Sequence, residues 1–180
     1  MNLPQLELDR DSLDGLPEVA LPPGYRIRSY RPGDAAAWCR LVNEGIGPGW
    51  TEEKFEAEMA RAVRFSPEDL LFAEVGGELV GTAWALRHWE RPEEVGYVHM
   101  VAVAPAHRGR GLGRALTTAV LRRFREMGLT RATLRTDDHR LAAIKLYLSL
   151  GFRPTFSHPS HEARWRCIQA RLARTEEAAG

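Results

Sequence analysis

Residues 101–116 read VAVAPAHRGRGLGRAL, and this passage constrains the fold more than any other. A β run stops at Pro105. Glycines then alternate at Gly109, Gly111 and Gly113, and a helix begins. Glycine lets a backbone approach a ligand closely and turn its amide groups inward. A helix N-terminus adds unpaired N–H groups and about half a positive charge. Together they predict an anion site suited to phosphate, with Arg108, Arg110 and Arg114 at its rim. Two common phosphate loops are excluded. The chain contains no Gly-Lys, which a P-loop needs. A dinucleotide fingerprint needs Gly or Ala three residues after its second glycine, and Arg114 stands there.

The rest of the chain supplies elements around this loop. Residues 25–29 alternate as a strand. Pro32-Gly33-Asp34 is a turn, with Asp34 expected to cap a helix over 35–43. Residues 45–49 are a loop, and Thr51 is the expected N-cap of a helix running to about Arg64. Ser66-Pro67 breaks that helix. Strands over 70–75 and 78–88 flank Gly76-Gly77, a hairpin signal. A long β run covers 95–103. Leu112, Ala115, Leu116, Ala119, Val120, Phe124 and Met127 follow helical spacing, and Gly128 fits the C-terminal cap. A strand over 131–136, a helix over 141–150 ended by Gly151, and two late strands over 152–156 and 163–168 complete the reading. Residues 1–22, acidic and broken by prolines, read as an extended lead-in. Residues 23–168 are the expected domain, and 169–180 a tail or short helix. Hairpins first, then a strand–helix–strand unit, predict an α/β (α+β) fold with a mixed sheet and helices on both faces.

Bulk properties narrow the function. A net charge of +1 gives no overall basic field for nucleic acid. Arg122, Arg123 and Arg125 read as a solvated helix face. Cys39 and Cys167 stand far apart with no metal-like spacing, so neither a disulfide framework nor a metal site is expected. The acidic N-terminus lacks a basic segment followed by an apolar run, and no stretch has the length of a membrane span. A cytoplasmic protein without membrane attachment is the expectation.

Two motifs carry a resemblance. R-x-x-G-x-G at residues 108–113, directly after Val-Ala-Val-x-Pro, resembles motif A of the GNAT acyltransferases. AAIKLYLSLGF at residues 142–152 resembles their motif B, with Tyr147 ahead of Gly-Phe. The order and the single intervening strand agree, and the likeness covers roughly residues 24–168. It implies the GNAT fold, a mostly antiparallel sheet of six or seven strands with about four helices. It also implies acetyl-CoA as co-substrate and transfer of acetyl to a primary amine of a small molecule or peptide. The alternative is a coenzyme-binding module with little catalysis. Within the superfamily, residues 137–152 resemble the domains of mycothiol synthase, which carries two in one chain. Dimers are frequent in the family, so a homodimer is compatible.

The resemblance also assigns residues. Arg108, Gly109, Arg110, Gly111, Leu112, Gly113 and Arg114 would hold the pyrophosphate. Met100, Val101, Ala102 and Val103 would pair with the pantetheine arm, and a bulge is expected there. Met100 or Val101 would supply the oxyanion N–H. Tyr147 takes the family's general-acid position against a packing role. His99 stands where some members relay the amine proton, against a structural role. Alternation would put Tyr97, His99, Val101 and Val103 on one face. An Asn often found just ahead of motif B is Arg140 here, with Asp137 or Asp138 expected to substitute. Glu44 and Trp50 fall where acceptors are often contacted. From the residues alone, Trp84 and Trp89 could line an acceptor site or belong to the core, and Glu90 could bind an amine's charge or simply face solvent. His158-x-x-His161 reads as a surface loop rather than a metal site.

Overall fold

The computed structural model describes residues 3–60, 65–87 and 92–177. Trp89 and Glu90 lie outside the described residues. The fold is one seven-stranded sheet in the order β2-β3-β4-β5-β6-β1-β7. The strands are β1 (Leu6–Arg10), β2 (Tyr25–Ser29), β3 (Leu70–Val75), β4 (Glu78–Arg87), β5 (Val95–Val103), β6 (Arg131–Thr136) and β7 (Arg153–Thr155). The helices are α1 (Ala35–Gly45), α2 (Glu52–Lys54), α3 (Leu112–Glu126), α4 (Leu141–Ser149) and α5 (His161–Glu177). Every recorded pairing is antiparallel except β5 with β6.

Glycines show how the layers close. A Cβ at Gly96 would sit 2.6 Å from the Phe124 ring of α3, and one at Gly81 would sit 3.0 Å from Leu116. A Cβ at Gly45 of α1 would meet Ala102 at 2.9 Å. Hence α3 lies against one face of the sheet and the C-terminal end of α1 against the other. The hairpin between β3 and β4 turns on Gly76 and Gly77, with φ of +57° and +87°, where a side chain would be strained.

Several expectations need correction. The segment read as a lead-in contains β1, which pairs with β6 on one side and β7 on the other. Its Leu6 and Leu8 are buried. The stretch 163–168, expected as a strand, lies inside α5. Trp165 and Ile168 are buried and Leu172 is half-buried, and that spacing follows the helical period rather than alternation. Asp34 does not cap α1 with its side chain. Its carboxylate instead accepts from the Arg28 guanidinium at 2.6 and 2.9 Å and from the Arg31 N–H at 2.6 Å. The stronger, charged donor wins. Thr51 does cap α2, accepting from the Lys54 N–H at 3.2 Å, and the helix widens into a π turn over Phe55–Ala60.

Candidate active site

The site originates in β5. Its first half is held on both sides: residues 95–97 pair with 131–133 of β6 and 96–98 pair with 85–87 of β4. Beyond Tyr97, β6 continues against β1 and β5 against β4, and the β5–β6 ladder stops. The two strands part, and the backbone of β5 loses one neighbour.

A bulge lies in the parted half. Thr82 faces Ala102, but Trp84 faces His99, so β5 carries one extra residue. Met100 has φ of +49°, the one positive value outside glycine among the described residues. Such a backbone stores strain of about 1–3 kcal/mol and is common at working sites. The bulge also reverses the side-chain alternation. Gly96 faces α3, and Val103 joins that face through its partner Gly81. His99 faces Trp84, on the side where Ala102 meets α1. The expected shared face of Tyr97, His99, Val101 and Val103 is therefore broken after His99.

Where the strands part, a cleft of about 650 Å³ opens. Four elements line it: the end of α1 (Glu44, Gly45, Ile46), β5 (Val101, Ala102, Val103), the glycine loop with the start of α3, and α4 with the turn before it. The loop has the expected form. Gly109 and Gly111 take φ of +74° and +80°, and a Cβ on either would meet no atom within 4 Å. No side chain caps α3, so its first-turn N–H groups have no intrahelical acceptor. Arg108 lines the cleft while its Nε donates to the Val103 carbonyl at 3.0 Å, and Arg114 donates to the Ser149 hydroxyl at 2.8 Å. The His107 Nδ1 and the Tyr25 hydroxyl lie 2.8 Å apart.

Tyr147 enters the same cleft from α4, 7% exposed, its ring edge-on to Phe152. Burial pushes its phenol up to about 12, partly offset by the positive charge of Arg140. The hydroxyl therefore stays protonated through the neutral range.

The structure brings most of the expected residues together, but not all. Arg108, Gly109, Gly111, Leu112, Gly113, Arg114, Val101, Ala102, Val103, Tyr147 and Glu44 line the cleft. Arg110 and Met100 are not among the lining residues. His99 is not among the lining residues, and its ring centroid lies 6.1 Å from that of Trp84 and 5.1 Å from that of Tyr97. Trp50 is also outside. Asn43 holds its backbone through two 2.9 Å bonds, its ring meets Trp38 edge-on, and the Lys54 ammonium sits over it at 4.5 Å. Trp84 is core. His158 and His161 flank the start of α5, and among the described residues no group of three or more His, Cys, Asp and Glu is placed to hold a metal.

Arg140 is the residue that sequence reasoning undervalued. Its guanidinium donates to the Gly45 carbonyl at 3.0 Å, the Ile46 carbonyl at 2.7 Å and the Asp137 carboxylate at 2.9 Å. Asp137 and Asp138, expected to substitute for the missing Asn, are engaged elsewhere. Asp137 binds Arg140 and Gln5, and Asp138 accepts from the Nε and Nη2 of Arg164. Burial works against the Asp137 charge, but the Gln5 and Arg140 hydrogen bonds outweigh it and hold the group below its ordinary value.

Comparison with known proteins agrees with this geometry. The sequence pattern of the Acetyltransferase (GNAT) family matches residues 35–152. A mycothiol acetyltransferase of Thermomonospora curvata is 38% identical over 143 residues, covering 76% of this chain and 47% of the relative. One of Acidothermus cellulolyticus is 36% identical over 166 residues, covering 82% of this chain and 50% of the relative. The chain thus spans about half the length of the curated relatives it matches. A GCN5-related N-acetyltransferase from Sphaerobacter thermophilus superposes with a TM-score of 0.70 at 28% identity, covering 85% of this chain and 50% of the other.

Proposed function

We infer that this chain, which belongs to the GNAT acetyltransferase family, transfers an acetyl group from acetyl-CoA to a primary amine by direct attack in a ternary complex. The observation that carries this reading is the polarity of the cleft. The lining combines the uncapped N-terminus of α3 and the side chains of Arg108 and Arg114 with the one carboxylate among the recorded lining residues, Glu44. A helix N-terminus favours an anion, and a carboxylate favours a cation. A pyrophosphate and an ammonium would thus each meet opposite charge within one cleft.

The glycine loop and the parted half of β5 fit coenzyme A. The loop offers bare backbone at Gly109 and Gly111, and the strand offers an edge that β6 has left. The coenzyme supplies the activated thioester. Loop N–H groups and arginines would hold its pyrophosphate, and the β5 backbone its arm, with Val101 the oxyanion donor nearer the cleft.

An alkyl amine with a pKa of ~10.4 lies about 3.4 units from its neutral form at pH 7, a deficit of roughly 4–5 kcal/mol. Glu44 would gather the ammonium at the mouth. His99 would take the proton through water, since it stands outside the cleft wall. Tyr147 would protonate the departing thiolate. Its pKa of about 12 makes donation to a thiolate of conjugate pKa ~8.5 uphill by about 3.5 units, close to 5 kcal/mol. The dry wall that raises the phenol must also raise the thiolate, which shrinks the gap.

The test is thiol release from acetyl-CoA against a panel of primary amines: amino sugars, polyamines, N-terminal peptides and mycothiol-related amines. The curated relatives' name motivates the last group. Amine-dependent release that falls in Glu44→Gln through a higher acceptor KM supports the reading. Coenzyme binding with no release from any amine would favour a coenzyme-binding module. Among the described residues no helix is long and apolar enough to cross a membrane.

A further inference from the structure

We propose that Arg140 is a positioning residue that latches the acceptor wall of the cleft to its donor wall. The inference rests on the acetyl-transfer reading above. Arg140 is the last residue before α4, on the side of the cleft that carries Tyr147. Its two terminal nitrogens cross to Gly45 and Ile46, the final residues of α1 and its C-cap. No β5–β6 ladder is recorded on this side of Tyr97. The guanidinium spans the gap that the sheet leaves.

The chemistry of the latch is specific to arginine. The last carbonyls of a helix have no intrahelical donor, and a cation there also meets the negative end of the helix dipole. Arg140 satisfies two such carbonyls at once, which needs two arms of a planar fork. Its Nε is left for Asp137, and Asp137 is in turn held by Gln5 at 3.0 Å, just ahead of β1. The relay runs from the sheet through Asp137 and Arg140 to the end of α1. Glu44, the one carboxylate among the recorded lining residues, stands next to the latched Gly45. Its recorded partner among the described residues is Arg40, in a long, exposed contact at 3.9 Å. Exposed pairs of that kind hold little, so the latched backbone fixes where Glu44 sits.

The latch assigns Arg140 a role different from contact with the coenzyme. Removing it should loosen the acceptor wall and leave donor binding intact. The experiment compares Arg140→Gln, Arg140→Lys and Asp137→Asn with the unaltered chain by amide hydrogen exchange and by calorimetric titration with CoA. In Arg140→Gln, exchange across residues 43–50 should quicken at least tenfold while residues 6–10 are unchanged. The CoA Kd should stay within threefold. Lysine keeps the charge but loses the planar fork and the Nε bond to Asp137, so Arg140→Lys should fall between, and Asp137→Asn should show a weaker form of the same pattern. With an amine taken from the thiol-release panel, the acceptor KM should rise at least fivefold at constant acetyl-CoA KM. Unchanged exchange over 43–50 in Arg140→Gln overturns the proposal. So does a CoA Kd that rises more than threefold, because Arg140 would then act on the donor. An unaltered chain that binds no CoA would instead overturn the acetyl-transfer reading, and the exchange arm still reads the latch by itself.

Discussion

The two halves of β5 differ in almost every physical respect, although they are one strand. Residues 96 and 97 are paired on both sides, and at Gly96 the strand has no room for a methyl group beneath Phe124. Residues 98–103 have lost β6, carry an extra residue and hold Met100 at φ of +49°. The first half anchors the sheet. The second presents backbone to a cleft, and the strain at Met100 is sustained by the ladder on either side of it. A site of this kind needs a rigid origin and an incomplete edge, and β5 provides both within nine residues.

This comparison can be broken or sharpened by substitution. The largest effect should come from Tyr147→Phe. General acids contribute roughly 10²–10⁴-fold, so kcat should fall at least about 100-fold in stopped-time thiol release while the CoA Kd holds. Full activity would remove the acid assignment. Next in size, Gly96→Ala forces a Cβ into the Phe124 ring and should cost about 1–3 kcal/mol of stability by denaturant unfolding. Coenzyme affinity per folded molecule should not change. If affinity fell instead, the two halves of β5 would not be separable.

Gly111→Ala should do the reverse. The backbone strain is about 1–2 kcal/mol, and the new Cβ meets nothing within 4 Å. Stability should drop modestly, whereas CoA affinity should drop at least about tenfold by calorimetry, because the added methyl occupies the approach to the loop. The smallest effect concerns pH. The folded Tyr147 titrates near 12 against about 10 when unfolded. Between those values the native state keeps a proton that the unfolded state has lost. Stability from this group is thus fully present below pH 10 and declines by about 1.4 kcal/mol per unit between pH 10 and about 12. Thermal unfolding from pH 9 to 11 should show a steeper loss in the unaltered chain than in Tyr147→Phe.

What the sequence disclosed follows the range of the interactions involved. The glycine loop, the hairpin at Gly76-Gly77 and the helix ends at Gly128 and Gly151 are local signals, and the structure has each where the residues place it. β1 was obscured because Leu6 and Leu8 alternate with Glu7 and Asp9 in an acidic stretch, and its partners in β6 and β7 lie more than 120 residues away. α5 was misread although Trp165, Ile168 and Leu172 show its period. Arg140 departs visibly from the family pattern, yet its task depends on carbonyls about 95 positions upstream. Side-chain faces on β5 required the position of the bulge, which sequence alternation does not carry.

The most direct test of the central claim is thermal unfolding with CoA, acetyl-CoA, NADH and ATP added separately. A ligand at 100 times its Kd stabilises by about 2.7 kcal/mol, roughly 5–10 °C for a chain of this size. The account predicts that rise with CoA and acetyl-CoA and none of that size with NADH or ATP. No rise at saturating CoA would contradict it, because the cleft between β5 and β6 would then not be a coenzyme site.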